Sequence, residues 1–86
     1  PPLPSTASVS ISTFVLPPHA TNSEKLFYHF AEFSPIQVFS NPRYWYVQFR
    51  SRRDAELAAN ALNRRVFAGR SLTLSVIMDR DIDNAE

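Results

Sequence analysis

The stretch Arg-Tyr-Trp-Tyr-Val-Gln-Phe at residues 43–49 decides the fold of this chain. Successive side chains of a β-strand point to opposite faces of the sheet, so this pattern predicts a strand with two different faces. One face is apolar and is expected to lie against the core: it carries Trp45, Val47 and Phe49. The other face carries Tyr44, Tyr46 and Gln48, which predicts two neighbouring tyrosines on the open side of a sheet. Exposed aromatic rings beside arginines are suited to stacking nucleobases and holding phosphates.

The segments around this strand predict the remaining elements. Alternating or apolar runs predict three further strands, at residues 9–16, 36–39 and 72–76. Two helices are predicted, one with a cap among residues 21–23 and the other beginning at Ser51 or Asp54. The order strand-helix-strand-strand-helix-strand predicts the α+β, ferredoxin-like βαββαβ fold, with a four-stranded antiparallel sheet and two helices on one face.

Each predicted helix has an apolar stripe that is expected to face the core. The stripe of the first helix consists of Leu26, Phe27, Phe30 and Phe33. The stripe of the second helix consists of Ala55, Leu57, Ala58, Ala61 and Leu62. These stripes follow the spacing of an amphipathic helix packed on one side.

Length and composition limit the class of protein. The 86 residues are 44% hydrophobic, which indicates one small folded domain. We expect a flexible Pro/Ser-rich linker at residues 1–8, a folded domain at residues 9–78 and an acidic tail at residues 79–86. Because cysteine is absent, disulfides and thiolate metal sites are excluded, as is typical of an intracellular protein, nuclear or cytoplasmic. No apolar run approaches the ~20 residues that span a bilayer, so no membrane partner is expected.

Charge is unevenly distributed although the net charge is only +1. Residues 43–70 contain seven arginines, one aspartate and one glutamate, a local net charge of +5. Such a basic segment indicates either a footprint for phosphate or a solvated helix face. Residues 71–86 have a net charge of −3. One hypothesis is that Asp79, Asp81 and Asp83 fold back toward the basic segment and compete with RNA; the alternative is a disordered, solubilising end.

The residues from 9 to 77 resemble an RNA recognition motif (RRM). The chain resembles the family's first helix and its entry into the second strand at Leu26, Phe30, Phe33 and Ile36. It resembles the family's second helix and last strand at Asp54-Ala55-Glu56, Ala58, Ala61-Leu62-Asn63 and Gly69-Arg70-Ser71-Leu72. The family's octamer motif is basic, Gly, aromatic, Gly/Ala, aromatic, Val, any, aromatic. Pro42–Phe49 is similar to this motif at Tyr44, Tyr46, Val47 and Phe49.

The chain departs from the family pattern at several positions. Pro42 stands at the basic position of the octamer, and Trp45 stands at a core position that the family fills with Gly or Ala. On the first strand, Ser12 stands where the family's hexamer motif places another surface aromatic. Phe14 lies two residues further on the same predicted face, and we expect it to supply that ring. The loop between the second and third strands is nearly a hairpin.

The resemblance implies a module that binds single-stranded RNA as its partner. We expect Tyr44 and Tyr46 to stack two bases and Phe14 to extend the stacking surface. Arg43 is the candidate for phosphate contact, although strand alternation turns it away from the tyrosines. The candidates for hydrogen bonds to the RNA on the same face are Ser12, Gln48, Thr73 and Ser75.

A protein-interaction module is the competing hypothesis. Arg65-Val66-Phe67 resembles the Arg-X-Phe loop of UHM domains, an RRM subclass whose Phe packs against a tryptophan of a linear peptide. That subclass also uses acidic residues of its first helix, for which this chain offers Glu24 and Glu32. A second form of the hypothesis has a partner domain docking on the open sheet face.

The sequence gives no sign of catalysis, a cofactor or a metal. His19 and His29 stand alone, without carboxylates or cysteines at the spacing of metal ligands. No nucleophile with a neighbouring base is recognisable, and Gly69 is the only glycine, so a phosphate-binding glycine loop is excluded. We therefore expect a binding domain that is not an enzyme and that is monomeric in isolation.

Overall fold

The computed structural model describes residues 5–82 of the chain. In chain order the main elements are β1 (Ala7–Ser12), α1 (Ser23–His29), β2 (Gln37–Ser40), β3 (Tyr44–Phe49), α2 (Arg52–Leu62), β4 (Val66–Phe67), β5 (Arg70–Ser71) and β6 (Ser75–Met78). Four strands pair antiparallel in the order β2-β3-β1-β6, and β4 and β5 form a separate hairpin. The predicted ferredoxin-like α+β fold is confirmed.

The core lies between one face of the sheet and the two helices. The central strands contribute buried side chains from alternate positions: Val9 and Ile11 from β1, and Trp45, Val47 and Phe49 from β3. The helical side contributes Leu26, Phe30, Ala55 and Ala58. The prediction for the apolar face of residues 43–49 is therefore confirmed, and the other side of the sheet is called the outer face below.

Trp45 joins β3 to the chain that follows β1. Its indole Nε1–H donates a hydrogen bond to the carbonyl oxygen of Leu16 at 2.9 Å, and both residues are buried. A buried carbonyl needs such a partner because leaving it unpaired is costly. The tryptophan thus fills a core position and also fixes the position of the segment between β1 and α1.

The first strand begins and ends earlier than predicted. It starts at Ala7, so Ala7 and Ser8 lie in the sheet and are fully buried rather than belonging to a linker. It ends at Ser12 because the carbonyl of that residue accepts hydrogen bonds from the backbone N–H groups of Val15 and Leu16, at 3.1 and 2.9 Å. The tight turn that follows breaks the alternation, so the predicted strand over residues 13–16 is wrong.

The helices begin at the predicted caps. The Oδ1 of Asn22 accepts a hydrogen bond from the N–H of Lys25 at 2.9 Å, and the Oγ of Ser51 accepts one from the N–H of Asp54 at 3.2 Å. Both bonds satisfy donors that a helix N-terminus leaves free. After α1 the chain continues as a 3-10 turn at Ala31–Phe33, so the predicted stripe spans two elements.

The inward face of α2 differs from the prediction at three positions. Leu57 is 51% exposed and Ala61 is also exposed, whereas Ala59 is buried. Each helical residue advances by ~100°, which places Leu57 ~200° around the axis from the buried Ala55. The predicted inward orientation of Leu57 and Ala61 is therefore wrong, and the buried residues of α2 are three alanines.

Replacement of Trp45 by Phe should lower the free energy of unfolding by about 2 kcal/mol, because it leaves the buried carbonyl of Leu16 without its donor. Chemical denaturation followed by circular dichroism measures the change. Tyr44→Phe is the matched control, since it also removes one polar group from β3, but from the half-buried outer face. Equal stability losses in the two variants would contradict the role assigned to the indole hydrogen bond.

Candidate nucleic-acid interface

The strand register brings the outer-face residues into rows across the sheet. One row pairs Phe39 with Tyr46, Tyr46 with Ser10, and Ser10 with Ser75. The row on one side of it pairs Tyr44 with Ser12, and the row on the other side pairs Gln37, Gln48, Ser8 and Ile77. The two tyrosines thus share a face as predicted, and their ring centroids are 6.0 Å apart.

Tyr46 is buried although it lies on the outer face. Only 1% of it is exposed, and its ring stacks on Phe39 with a centroid distance of 5.2 Å and an interplanar angle of 26°. Its hydroxyl also lies 3.4 Å from the Nδ2 of Asn41, which donates to it. The expectation that Tyr46 is an exposed ring is therefore wrong. Sequence reasoning missed Phe39, although its place opposite Tyr46 follows from the short hairpin.

A groove at one end of the sheet contains part of the predicted interface. It has a volume of ≈ 400 Å³ and is lined by Ser12, Thr13, Phe14, Pro42, Arg43 and Tyr44. We call it the end groove. It brings together four of the predicted RNA-binding residues: Ser12, Phe14, Arg43 and Tyr44.

Phe14 is 97% exposed and lies on the turn after β1, not on the strand. The strand-alternation argument that predicted its direction therefore does not apply. The turn is held by the Oγ of Ser12, which accepts from the N–H of Phe14 at 3.1 Å, and by the N–H of Thr13, which donates to the carbonyl of Arg43 at 2.9 Å. These bonds connect the turn to the start of β3 and so place the phenyl ring at the end groove.

Arg43 is exposed and precedes the first residue of β3. Strand alternation therefore does not turn it away from Tyr44. The Oδ1 of Asn41 accepts hydrogen bonds from the backbone N–H groups of Arg43 and Tyr44, both at 2.8 Å, which orders the hairpin. Among residues 5–82 the one ion pair joins Arg52 to Glu56 in α2, so the guanidinium of Arg43 has no carboxylate partner there.

The other end of the outer face is occupied by Asp79. Its Oδ1 accepts a hydrogen bond from the Oγ of Ser8 and its Oδ2 accepts one from the Nε2 of Gln48, both at 2.6 Å. The hydroxyl of Thr6 also donates to Oδ2. Gln48, a predicted contact for base edges, is therefore engaged within the protein.

The structure differs from the hypothesis that Asp79 and the acidic residues after it contact the arginines of the basic segment. Asp79 contacts the neutral side chains of Thr6, Ser8 and Gln48 instead of arginines. Asp81 is exposed, and Asp83 lies outside the described residues.

The two remaining candidates lie near β6. Ser75 is exposed, and its carbonyl accepts a hydrogen bond from the Oγ of Ser10 at 3.5 Å. Thr73 is exposed but precedes β6, so strand alternation does not fix its direction. Neither residue lines the end groove.

The loop of the peptide-binding hypothesis folds as the β4–β5 hairpin. Arg65 and Val66 are exposed, but Phe67 is half-buried, packs against the core and meets the ring of His29 at a centroid distance of 4.7 Å. Desolvation in this contact lowers the pKa of His29.

Glu24 and Glu32, the acidic residues of the peptide-binding hypothesis, are exposed, on α1 and on the following 3-10 turn. Within the described part of the chain, no three His, Cys, Asp or Glu side chains are grouped as metal ligands. In the same residues, no helix has the length and apolarity needed to cross a membrane.

Comparison with known proteins gives one family. A family model described as "RNA recognition motif" matches residues 15–73, which is more than half of the chain. The match begins after β1 and ends before β6. No curated protein matches the chain significantly.

The burial of His29 predicts a loss of stability in mild acid. Its pKa is lower in the folded protein than in the unfolded chain, so between the two pKa values the unfolded chain binds more protons. Stability should therefore fall as the pH decreases below the ordinary histidine pKa of about 6.5.

Thermal unfolding at several pH values measures this effect, and His29→Gln should flatten the dependence. His19→Gln, at an exposed position, is the control. The same pH dependence in His29→Gln and in the unmodified protein would contradict the assignment.

Proposed function

The chain belongs to the RNA recognition motif family, and on this premise we propose that it binds short single-stranded RNA at the end groove. It is an RNA-binding module by family, and the proposal concerns where and how it binds. The observation that carries it is the phenyl ring of Phe14, which is 97% exposed beside Tyr44 and Arg43. A solvent-exposed apolar ring at a groove that also carries an arginine is suited to a ligand with flat bases and phosphates.

Stacking supplies most of the proposed affinity. Base–aromatic stacking contributes about 1–3 kcal/mol per base, so Phe14 and Tyr44 together contribute about 2–6 kcal/mol before losses. Part of this is offset by the ordering of the RNA strand. Because a micromolar dissociation constant corresponds to about −8 kcal/mol, we expect this domain alone to bind in the micromolar range or more weakly.

Polar groups of the end groove complete the proposed contact. The guanidinium of Arg43 meets a phosphate, and the hydroxyl of Ser12, which already accepts from Phe14, keeps its own hydrogen to donate to a base. Thr73 and Ser75 are exposed and remain proposed contacts for a longer RNA. Tyr46 is buried beside Tyr44 and is proposed as an indirect support of that ring. Gln48 is bonded to Asp79 and remains a proposed contact for RNA only if that bond opens.

The peptide-binding alternative has weaker support. The exposed Arg65 and Val66 favour it, as do the exposed carboxylates of Glu24 and Glu32. However, a peptide tryptophan needs a free face of Phe67, and that ring is already packed against His29 and the core. A partner domain that docks on the outer face would cover the same end groove. We therefore propose RNA as the main ligand, and a binding role instead of catalysis.

Removal of either ring of the end groove should weaken RNA binding. Phe14→Ala and Tyr44→Ala should each reduce the affinity for single-stranded RNA by about tenfold, since one stacking contact is lost. The measurement is fluorescence anisotropy with a labelled pool of short RNAs of mixed sequence.

Tyr28→Ala is the matched control because Tyr28 is 68% exposed on α1, away from the end groove. Circular dichroism verifies that each variant is folded. If Phe14→Ala and Tyr44→Ala bind as tightly as Tyr28→Ala, the end groove is not the RNA site.

Arg43→Gln should reduce the salt dependence of binding. Loss of one phosphate contact lowers the slope of log K against log salt concentration by about 0.7 for a single strand. Titrations at several salt concentrations give the slope, and Arg53→Gln is the control, since Arg53 is exposed at the start of α2. An equal change of slope in both variants would indicate general electrostatics in place of a contact at Arg43.

A further inference from the structure

The carboxylate of Asp79 is held on the outer face by three side chains. Ser8 and Gln48 donate to it at 2.6 Å each, and Thr6 is the third donor. In addition, the backbone N–H of Asp79 donates to the carbonyl of Thr6 at 3.1 Å. Both carboxylate oxygens are thus satisfied by donors from two different strands and from the segment before β1. Hydrogen bonds to a charged group are stronger than those between neutral groups.

The position of Asp79 in the chain explains how it reaches this face. Met78 is the last residue of β6 and pairs with Ala7, so the next residue lies opposite Thr6, one outer-face position beyond the row that contains Ser8 and Gln48. A 3-10 turn at Asp79–Asp81 begins there. The turn replaces continued strand, and its first side chain lies over the sheet.

The region under Asp79 is closed. Ser8 is 0% exposed and Ser10, in the adjoining row, is 6% exposed. Ile82, just after the turn, is half-buried, yet it is not among the apolar side chains packed against the core. The same face carries Tyr46, two residues before Gln48, and ends at Tyr44 in the end groove. Asp79 therefore occupies part of the surface that would lengthen an RNA site beyond the end groove.

We propose that Asp79 is an intramolecular latch on the RNA-binding face: its docking on Thr6, Ser8 and Gln48 and the binding of RNA to those residues exclude each other. The proposal rests on the function proposed above and adds its regulation. In the latched form RNA reaches only the end groove. In the released form the three donors are free to bond to RNA, and the site extends along the outer face.

The latch differs physically from attraction between an acidic tail and arginines. Its partners are neutral hydroxyl and amide groups, and the contacts are short hydrogen bonds. Salt weakens long-range attraction between exposed charges much more than it weakens such contacts. The latch should therefore oppose RNA binding at high as well as at low salt.

The experiment compares Asp79→Ala with Asp81→Ala. The two variants remove the same charge from the same turn, but Asp81 is exposed and makes none of these hydrogen bonds. In the RNA-free protein, the side-chain amide signal of Gln48 is followed by NMR. Asp79→Ala should shift this signal and accelerate its hydrogen exchange, whereas Asp81→Ala should not.

RNA affinity is then measured on the same variants at low and high salt. Asp79→Ala should bind mixed-sequence RNA about tenfold more tightly than the unmodified protein, because the competent fraction rises. The gain should persist at high salt and be small for Asp81→Ala. Asp79→Asn keeps the shape of the side chain but places an amide against the Gln48 amide, so it should show an intermediate gain in affinity. It replaces Asp79→Ala in the comparison if that variant is poorly folded.

The results separate failure of the latch from failure of the RNA site. Equal gains for Asp79→Ala and Asp81→Ala would overturn the latch and leave RNA binding standing. An unmoved Gln48 amide signal would also overturn it, whatever the affinities. If neither the unmodified protein nor any variant binds RNA, the proposed function fails first, and competition with RNA fails with it.

Discussion

The antiparallel pairing of β1 with β3 is the constraint on which the rest of the structure depends. Its register sets Val9 opposite Val47 on the core face and Ser10 opposite Tyr46 on the outer face. Because side chains alternate strictly along a strand, a slip of one residue would move the two tyrosines into the core and the apolar side chains into water. The short helices and the edge strands then have one apolar surface on which to pack.

The two turns at the end of this central pair place the end groove. One follows β1 and carries Phe14; the other joins β2 to β3 and is ordered by the side chain of Asn41. The backbone bond between Thr13 and Arg43 ties the two turns together. The site is therefore built from loop residues on a rigid support, an arrangement that is common for binding sites. Its geometry depends on the central strands, while its chemistry depends on the turns.

The sequence predicted the fold and one half of the candidate site. Strand alternation was enough to assign Trp45 and Tyr44 to opposite faces, because that rule depends only on local backbone geometry. It also assigned Tyr46 to the correct face but not its burial, which is produced by Phe39 on a neighbouring strand and is a property of the assembled sheet. Strand alternation does not apply to the side-chain direction of Phe14, because a hydrogen-bonded turn ends β1 before that residue. The contacts of Asp79 with Thr6 and Ser8 join residues more than seventy positions apart, and no local pattern contains them.

The turn at Asp79–Asp81 has a further consequence for the border of the sheet. In the described chain β6 pairs on one side only, with β1, and its four residues form an edge. Exposed edge strands invite pairing with another chain, and proteins suppress this with short strands and with charges at the edge. A carboxylate that ends β6 and turns the chain across the sheet keeps this edge short. Release of Asp79 would remove that protection. The same change that opens the outer face would therefore make the protein more prone to aggregate through the edge of β6.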